Sequence, residues 1–271
     1  MRSTSDTSPD ASDARTLLEI ALKHERWVGA SLLIGLPVAS WAWIVAMTQD
    51  MYGDMSGAAA WMMTAQWDWP RVLLLCAMWI AMMTAMMLPS AAPLLLLYAG
   101  AVRSQRARRP GRQVYAMAAG YLAVWSAFGV GATVLQRLLA HLLLLTPMME
   151  PATPAAAAAA LALAGLYQLT PQKRACLRVC RSPLASLLAH WRPGTAGAFR
   201  MGLAHGVYCV GCCWALMLVL FAGGVMYLPV IVALSAWVAV EKFVPLGERI
   251  AQWSGVALLA LAAWIALREG L

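Results

Sequence analysis

Seven apolar segments, most of them long enough to cross a lipid bilayer as a helix, constrain the fold of this chain more than any other feature. They run over about 27–47, 72–98, 114–137, 154–170, 203–226, 229–245 and 251–267. With 62% hydrophobic and 12% charged residues, the chain has too little polar surface to cover a water-soluble core. The sequence therefore predicts an all-α fold: a polytopic bundle of about seven transmembrane helices, forming a single domain over residues 27–271.

The basic residues predict the orientation of this bundle. If the N-terminus is cytoplasmic, all but three of the 20 lysines and arginines fall in the leader or in cytoplasmic loops. The three exceptions are Arg71, Arg137 and Arg268. The leader, residues 1–26, has no apolar core of a cleavable signal, so we expect a disordered cytoplasmic tail. Because the positive charge is explained by orientation, we expect the lipid bilayer and not nucleic acid as a partner.

Two prolines, Pro89 and Pro93, lie inside the second apolar segment. Each removes a backbone donor and disturbs the preceding helical turn. A break at membrane depth is tolerated only where protein or a cavity satisfies the freed carbonyls. We interpret 72–98 as a proline-broken helix whose break is functional; the alternative is a kink that only shapes the bundle.

Thiols and an imidazole share one face of the fifth segment. At 100° per residue, His205, Cys209, Cys212 and Cys213 fall on one helical stripe. Thiolate and imidazole are ligands of zinc and cuprous copper. The alternative is that the thiols only pack, as small apolar side chains do. The stripe favours a metal or redox site.

A second thiol pair, Cys176 and Cys180, lies in the loop expected on the cytoplasmic side. If this loop is helical, thiols four residues apart face one site. Neighbouring basic residues favour the thiolate form, and the reducing cytosol argues against a structural disulfide. We hypothesise that both thiol groups converge on one metal ion, although separation in sequence gives no distance.

Methionines add further soft sulfur donors. They are Met78, Met82 and Met86 in one stripe of the second segment, Met83 and Met87 on its other side, and Met47, Met51 and Met55, which recur every four residues before it. The last group falls in a loop expected outside, in water, where methionine has no packing role. Thioether sulfur prefers cuprous copper to zinc. The pattern predicts copper capture by this loop; the alternative is an amphipathic segment at the membrane interface.

Glu241 lies at the inner end of the sixth segment, beside Lys242. A carboxylate near a membrane span is a candidate functional residue. The alternative is that Glu241 reaches the interface or pairs with Lys242.

Three motifs together resemble those of a known family. They are Met78-Trp79 with Met86-Met87-Leu88-Pro89-Ser90-Ala91-Ala92-Pro93 and Leu97-Tyr98-Ala99; Gly165-Leu166-Tyr167-Gln168-Leu169-Thr170-Pro171 with Lys173, Cys176 and Cys180; and Gly202, His205-Gly206, Tyr208-Cys209 and Gly211-Cys212-Cys213-Trp214, followed by Glu241-Lys242. Over about residues 70–265 the chain resembles the bacterial family of predicted metal-binding integral membrane proteins, domain-of-unknown-function family 2182. The resemblance implies metal binding, and with the predicted spans it implies a multi-pass protein of the bacterial inner membrane. No reaction comes with it.

These patterns favour a copper-handling membrane protein. In this hypothesis the outer methionines collect Cu(I), the methionine-lined helix relays it and the His/Cys cluster receives it, with zinc as the alternative ion. A copper chaperone or a metalloenzyme under assembly is the expected partner. The chain has no Walker A or Asp-Lys-Thr-Gly motif, so any transport is expected to be passive, driven by a partner or coupled to another gradient. A binding protein is favoured over an enzyme. The alternatives are a quinone-linked thiol-disulfide oxidoreductase and a structural subunit of a membrane complex.

Overall fold

Nine α-helices make up almost all of the chain that the structure describes, which in this computed structural model is residues 31–53, 67–105 and 110–269. They are α1 (Leu36–Tyr52), α2 (Trp69–Ser104), α3 (Pro110–His141), α4 (Pro154–Gln168), α5 (Pro171–Arg181), α6 (Pro183–Ala189), α7 (Gly194–Gly223), α8 (Leu228–Phe243) and α9 (Gly247–Arg268). A π-helical turn, Ser31–Gly35, precedes α1. No strand occurs in these ranges, which confirms the all-α bundle. The expected leader and Met55 lie outside the described residues.

Each of the seven apolar segments corresponds to a helix, and α5 and α6 form in the loop that was expected on the cytoplasmic side. Four helices, α2, α3, α7 and α9, are long and apolar enough to cross a membrane. The other three segments give shorter helices, of 17 residues in α1, 15 in α4 and 16 in α8. A membrane protein is therefore confirmed in outline, while seven crossings stay a prediction.

Short sequence signals fix where several helices begin. The side chains of Asp68, Thr153 and Thr170 each accept a hydrogen bond from a backbone N–H in the first turn of α2, α4 and α5. A proline follows each of these caps within two residues. Proline suits the first helical turn because the N–H it lacks would have no partner there.

The helix ends gather at two opposite ends of the bundle. At one end, which we call the distal end, the Tyr52 hydroxyl lies 3.3 Å from Glu150 Oε1 and the rings of Tyr52 and Tyr227 are 6.4 Å apart. At the other, the basic end, Arg181 Nη2 donates to the Val244 carbonyl at 2.7 Å. These contacts bring the end of α1 beside the connection after α3 and the start of α8, and the end of α5 beside the residue that follows α8.

The helix α2 is continuous through Pro89 and Pro93, so the predicted break does not occur. Its 36 residues span about 54 Å. Proline at position 89 removes the donor that would normally reach the Ala85 carbonyl. That carbonyl instead accepts a hydrogen bond from Trp41 Nε1 of α1 at 3.2 Å. The helix persists because a neighbouring helix replaces the missing donor.

Two glycines bring the backbones of α3 and α7 into direct contact. A Cβ at Gly202 would overlap the Met117 carbonyl oxygen, and one at Gly120 would overlap the Phe199 carbonyl oxygen. Small residues at a helix crossing permit this approach in membrane bundles. The close contact fixes α7, which carries three cysteines, against the face of α3 that carries Tyr121.

Candidate metal centre

Three thiols of α7 meet inside the bundle. The sulfur atoms of Cys209, Cys212 and Cys213 all lie within 4.8 Å of one another, and all three residues are buried. Positions separated by three and four residues share a helical face, so the spacing by itself brings these sulfurs together. All six cysteines of the chain are free thiols.

Helix α5 adds a fourth sulfur to this group. Cys180 Sγ lies 3.8 Å from Cys212 Sγ, and we call Cys180, Cys209, Cys212 and Cys213 the thiol cluster. One turn earlier, Cys176 lies against α7 at Gly211, where a Cβ would be 2.8 Å from Cys176 Sγ. The structure therefore brings the two thiol groups of the sequence together, whereas their sharing of one ion stays a prediction.

The thiols of α5 are not activated as the sequence suggested. Hydrogen bonding to the Cys209 and Cys212 thiols, together with burial, holds the pKa of Cys180 well above its ordinary value. Burial also raises the pKa of Cys176. The expectation that nearby basic residues favour the thiolate is therefore wrong. Lys173, the lysine of α5, acts to lower the pKa of Cys176, but burial and the nearby Cys212 thiol outweigh it.

A buried lysine and a tyrosine contact the cluster at Cys209. Lys242 Nζ of α8 donates to Cys209 Sγ at 3.0 Å and to Ser90 Oγ at 2.8 Å. The Tyr121 hydroxyl lies 3.1 Å from Cys209 Sγ and donates to the Met87 carbonyl at 2.9 Å. Sequence reasoning did not place either residue at the site. Lys242 was noted only as the neighbour of Glu241 in the third motif, and Tyr121 was not noted.

One methionine of α2 reaches the cluster, and it belongs to the stripe that the sequence hypothesis did not favour. Met87 Sδ lies 3.9 Å from Cys213 Sγ. The favoured residues, Met78, Met82 and Met86, are buried in the core of the bundle.

The predicted outer methionine loop is not a loop at Met51. The helix α1 extends to Tyr52, five residues beyond the expected end of its segment, and turns Met47 and Met51 onto the core. Met51 is only 1% exposed. The expectation that Met51 is exposed to water is therefore wrong. The argument that it has no packing role is wrong for the same reason.

His205 lies one turn before Cys209 on the same helix, outside the group of mutually close sulfurs. It is buried, and its Nδ1 has no hydrogen-bond partner among the described residues. With Ser90, Cys180 and Lys242 it lines a cavity of about 170 Å³. This cavity, which we call the polar cavity, extends from the thiol cluster to Arg181 and Phe243 at the basic end.

Glu241 pairs with a lysine other than its sequence neighbour. Its Oε2 lies 2.6 Å from Lys173 Nζ, and both side chains are almost fully buried. Its Oε1 accepts from Gln168 Nε2 at 2.6 Å and from Trp237 Nε1 at 3.1 Å. The alternative, a pairing with Lys242, does not occur, because adjacent helical residues point about 100° apart. Glu241 therefore faces α4, α5 and α9, and Lys242 faces the thiol cluster.

Comparison with known proteins gives one family. The family model PpoB2, described as a copper chaperone, matches residues 76–265, which is more than half of the chain and includes the whole thiol cluster. No curated protein and no solved structure matches the chain. The match supports the expectation of a copper-related family over nearly the range predicted from the motifs, but under a different family name.

Proposed function

The chain belongs to this copper chaperone family, and we propose that it is a multi-pass membrane protein that holds Cu(I) at the thiol cluster and passes it to a partner. One observation carries the proposal: α5 and α7 together direct four thiols to one place, beside a polar cavity. We propose further that the basic end is cytoplasmic and that the membrane is the bacterial inner membrane, as the distribution of basic residues suggests.

The donor set favours cuprous copper over zinc. Thiolate sulfur binds both ions, but thioether sulfur prefers Cu(I). Met87 Sδ, 3.9 Å from Cys213 Sγ, supplies a thioether at the edge of the cluster. Structural zinc sites use four thiolate, imidazole or carboxylate ligands, which the thiol cluster could also supply, but they do not use a thioether. A reducing cytosol also keeps the thiols free to bind metal.

The polar cavity supports exchange of the ion at the basic end. It is lined by Cys180, His205 and Lys242, and its volume of about 170 Å³ is enough for several water molecules. The unpartnered Nδ1 of His205 offers a further soft-ion ligand beside the cluster. In this proposal an incoming or outgoing ion passes His205 and Cys180 on its way between the cluster and a copper chaperone or a metalloenzyme under assembly.

Metal analysis of the purified protein tests the proposal. We expect the full chain, reduced and in detergent under nitrogen, to bind about one Cu(I) in competition with a chromophoric chelator, and the Cys209→Ser/Cys212→Ser/Cys213→Ser variant to lose it. Cys76→Ser is the matched control, because this cysteine lies on α2 outside the cluster. Zinc bound equally by the wild type and the triple variant, with no copper bound by either, would refute the proposal.

A paired substitution on α2 tests the thioether. Met87→Leu is expected to weaken Cu(I) binding by about tenfold, because it removes a soft donor while keeping the apolar volume. Met86→Leu, the adjacent buried methionine, is expected to leave the affinity unchanged. Equal effects of the two substitutions would show that methionine contributes only packing.

A thiol oxidoreductase is the second candidate function, favoured by the 3.8 Å separation of Cys180 Sγ and Cys212 Sγ on different helices. A disulfide between these residues requires an electron acceptor such as a quinone. A single measurement distinguishes the two functions. Metal binding that is equal in the wild type and in a Cys209→Ser/Cys212→Ser variant would favour the oxidoreductase.

A further inference from the structure

We propose that His190 and Met201, together with His205, form a second Cu(I) site, through which the ion passes between the protein surface and the thiol cluster. The site adds to the proposed copper function, and its role in transfer rests on that function. Neither the motifs nor the family description assigns His190 or Met201 to a metal ion.

Two imidazoles and two thioethers line one small cavity between α2, α3, α6 and α7. We call it the His/Met cavity, after its soft donors Met117, His190, Met201 and His205. Its volume of about 10 Å³ is close to the smallest that holds one water molecule, which suits a single ion. Thioether and imidazole are both ligands of copper, and thioether selects the cuprous ion. The cavity therefore brings together a donor set for one Cu(I).

Helix α7 connects this cavity to the thiol cluster. Met201, His205 and Cys209 follow one another at intervals of four residues, so they share one face of the helix. Each interval advances about 6 Å along the helix axis. His205 lines both the His/Met cavity and the polar cavity beside the cluster. An ion held at His205 is therefore one helical turn from the first thiol.

His205 is a buried residue whose ring lacks a partner. It is 6% exposed, and its Nδ1 makes no hydrogen bond among the described residues. The ring lies against Tyr121, with 5.9 Å between the ring centroids. A buried polar atom without a partner destabilises a fold, so packing alone does not explain this imidazole. A soft ion bound to the ring supplies the missing partner.

The His190 ring is oriented by a hydrogen bond of the kind that metal-binding histidines commonly make. Its Nδ1 lies 3.2 Å from the Ser186 carbonyl oxygen, at the end of α6. A carbonyl oxygen only accepts, so Nδ1 carries the proton and the lone pair of Nε2 is left for a metal ion. Because His190 is exposed, an ion from solution or from a partner reaches it first.

Two contacts hold the segment after α6 against α7. The Arg192 backbone N–H donates to Met201 Sδ, at 3.3 Å between nitrogen and sulfur. The ring of Trp191 packs on Tyr98 of α2, with 5.5 Å between the ring centroids. These contacts flank His190 on its C-terminal side and fix it beside the cavity. A thioether sulfur has a second lone pair, so Met201 keeps one for an ion.

A Cu(I) titration of the full chain in detergent under reducing conditions tests the site. Because imidazole and thioether carry no charge, they attract the ion less strongly than thiolates do. We therefore expect a second Cu(I) to bind only in competition with a weaker chelator than the one used for the thiol cluster. Copper X-ray absorption is expected to show imidazole scattering from this ion. The Cys209→Ser/Cys212→Ser/Cys213→Ser variant is expected to keep it.

Substitutions at the cavity are expected to weaken this second ion alone. His190→Gln should lower its affinity by at least about tenfold, the loss that removal of even an outer-shell partner brings. It should also slow transfer of Cu(I) from the loaded thiol cluster to external chelator by a similar factor. Met201→Leu, which keeps the apolar volume, should lower the affinity in the same direction. The matched controls are His141→Gln, at the exposed end of α3, and Met217→Leu, buried on α7 outside the cavity.

The outcomes separate this inference from the proposed function. A wild type that holds no Cu(I) at the thiol cluster refutes the proposed function, whereas a weaker ion bound by imidazole in the triple variant still supports the second site. Absence of a second ion from the wild type and the triple variant overturns the inference. Equal affinities for that ion in His190→Gln and His141→Gln overturn it as well. An unchanged transfer rate in His190→Gln overturns the role in transfer.

Discussion

Removing the charge of Glu241 is expected to destabilise the protein more than removing the charge of Lys173, although the two residues form one ion pair. Their charged atoms are 2.6 Å apart, and their side chains are 2% and 0% exposed. Breaking a buried pair from one side costs about 3–5 kcal/mol, because the remaining charge is left without compensation. The two substitutions differ in the partners that the remaining charged group keeps.

The hydrogen bonds around the pair determine which of the two substitutions costs more stability. After Lys173→Met, the carboxylate still accepts from Gln168 Nε2 and Trp237 Nε1, at 2.6 and 3.1 Å. Hydrogen bonds to a charged group are worth about 1.5–3 kcal/mol each, so they moderate the loss to about 3 kcal/mol. After Glu241→Met, the ammonium group loses its carboxylate and both donors lose their acceptor, which gives a loss near 5 kcal/mol.

The assay is the free energy of unfolding in mixed micelles, followed by tryptophan fluorescence. The double variant Lys173→Met/Glu241→Met carries no buried charge at this place and is expected to lose less than the Glu241→Met variant does. Arg178→Met, on the exposed face of α5, is the control and should change stability by less than about 0.5 kcal/mol. Losses that add up in the double variant, or a larger loss from Lys173→Met, would refute the reasoning.

Two further predictions concern the packing of the helices, measured by the same unfolding assay. Trp41→Phe leaves the Ala85 carbonyl without a donor and should lower the free energy of unfolding by about 1–3 kcal/mol. In a Pro89→Ala background the backbone donor returns, so the same substitution should cost less. An equal cost in both backgrounds would contradict this account. Gly202→Ala places a methyl group against a carbonyl of α3 and should cost at least about 2 kcal/mol. Gly131→Ala is the control: its methyl group meets open space on the exposed face of α3, so it should be neutral or stabilising by up to about 1 kcal/mol. Similar losses of stability from Gly202→Ala and Gly131→Ala would argue against a close crossing of α3 and α7.

The sequence predicted the helices well because its signals there are local. Apolar runs, N-capping residues followed by proline, and basic loops act within a few residues, so each segment could be assigned without knowing its neighbours. The spacing of Cys209, Cys212 and Cys213 is local in the same sense, since helical periodicity alone brings these sulfurs together. The failures at Met51 and Pro89 arose where a neighbouring helix decided the outcome, in one case by covering the side chain and in the other by donating a hydrogen bond.

By itself, then, the sequence determined an all-helical membrane bundle with soft donors on the face of one helix. Only the tertiary structure decided which other side chains join them: Cys180 from α5, Met87 from α2, and Lys242 in place of the acidic residue beside it. The reason is physical. Periodicity fixes the direction of a side chain relative to its own helix. The partner that the side chain meets depends on how the helices rotate and cross. The crossing follows from contacts between residues far apart in the chain, such as those of Gly120 and Gly202.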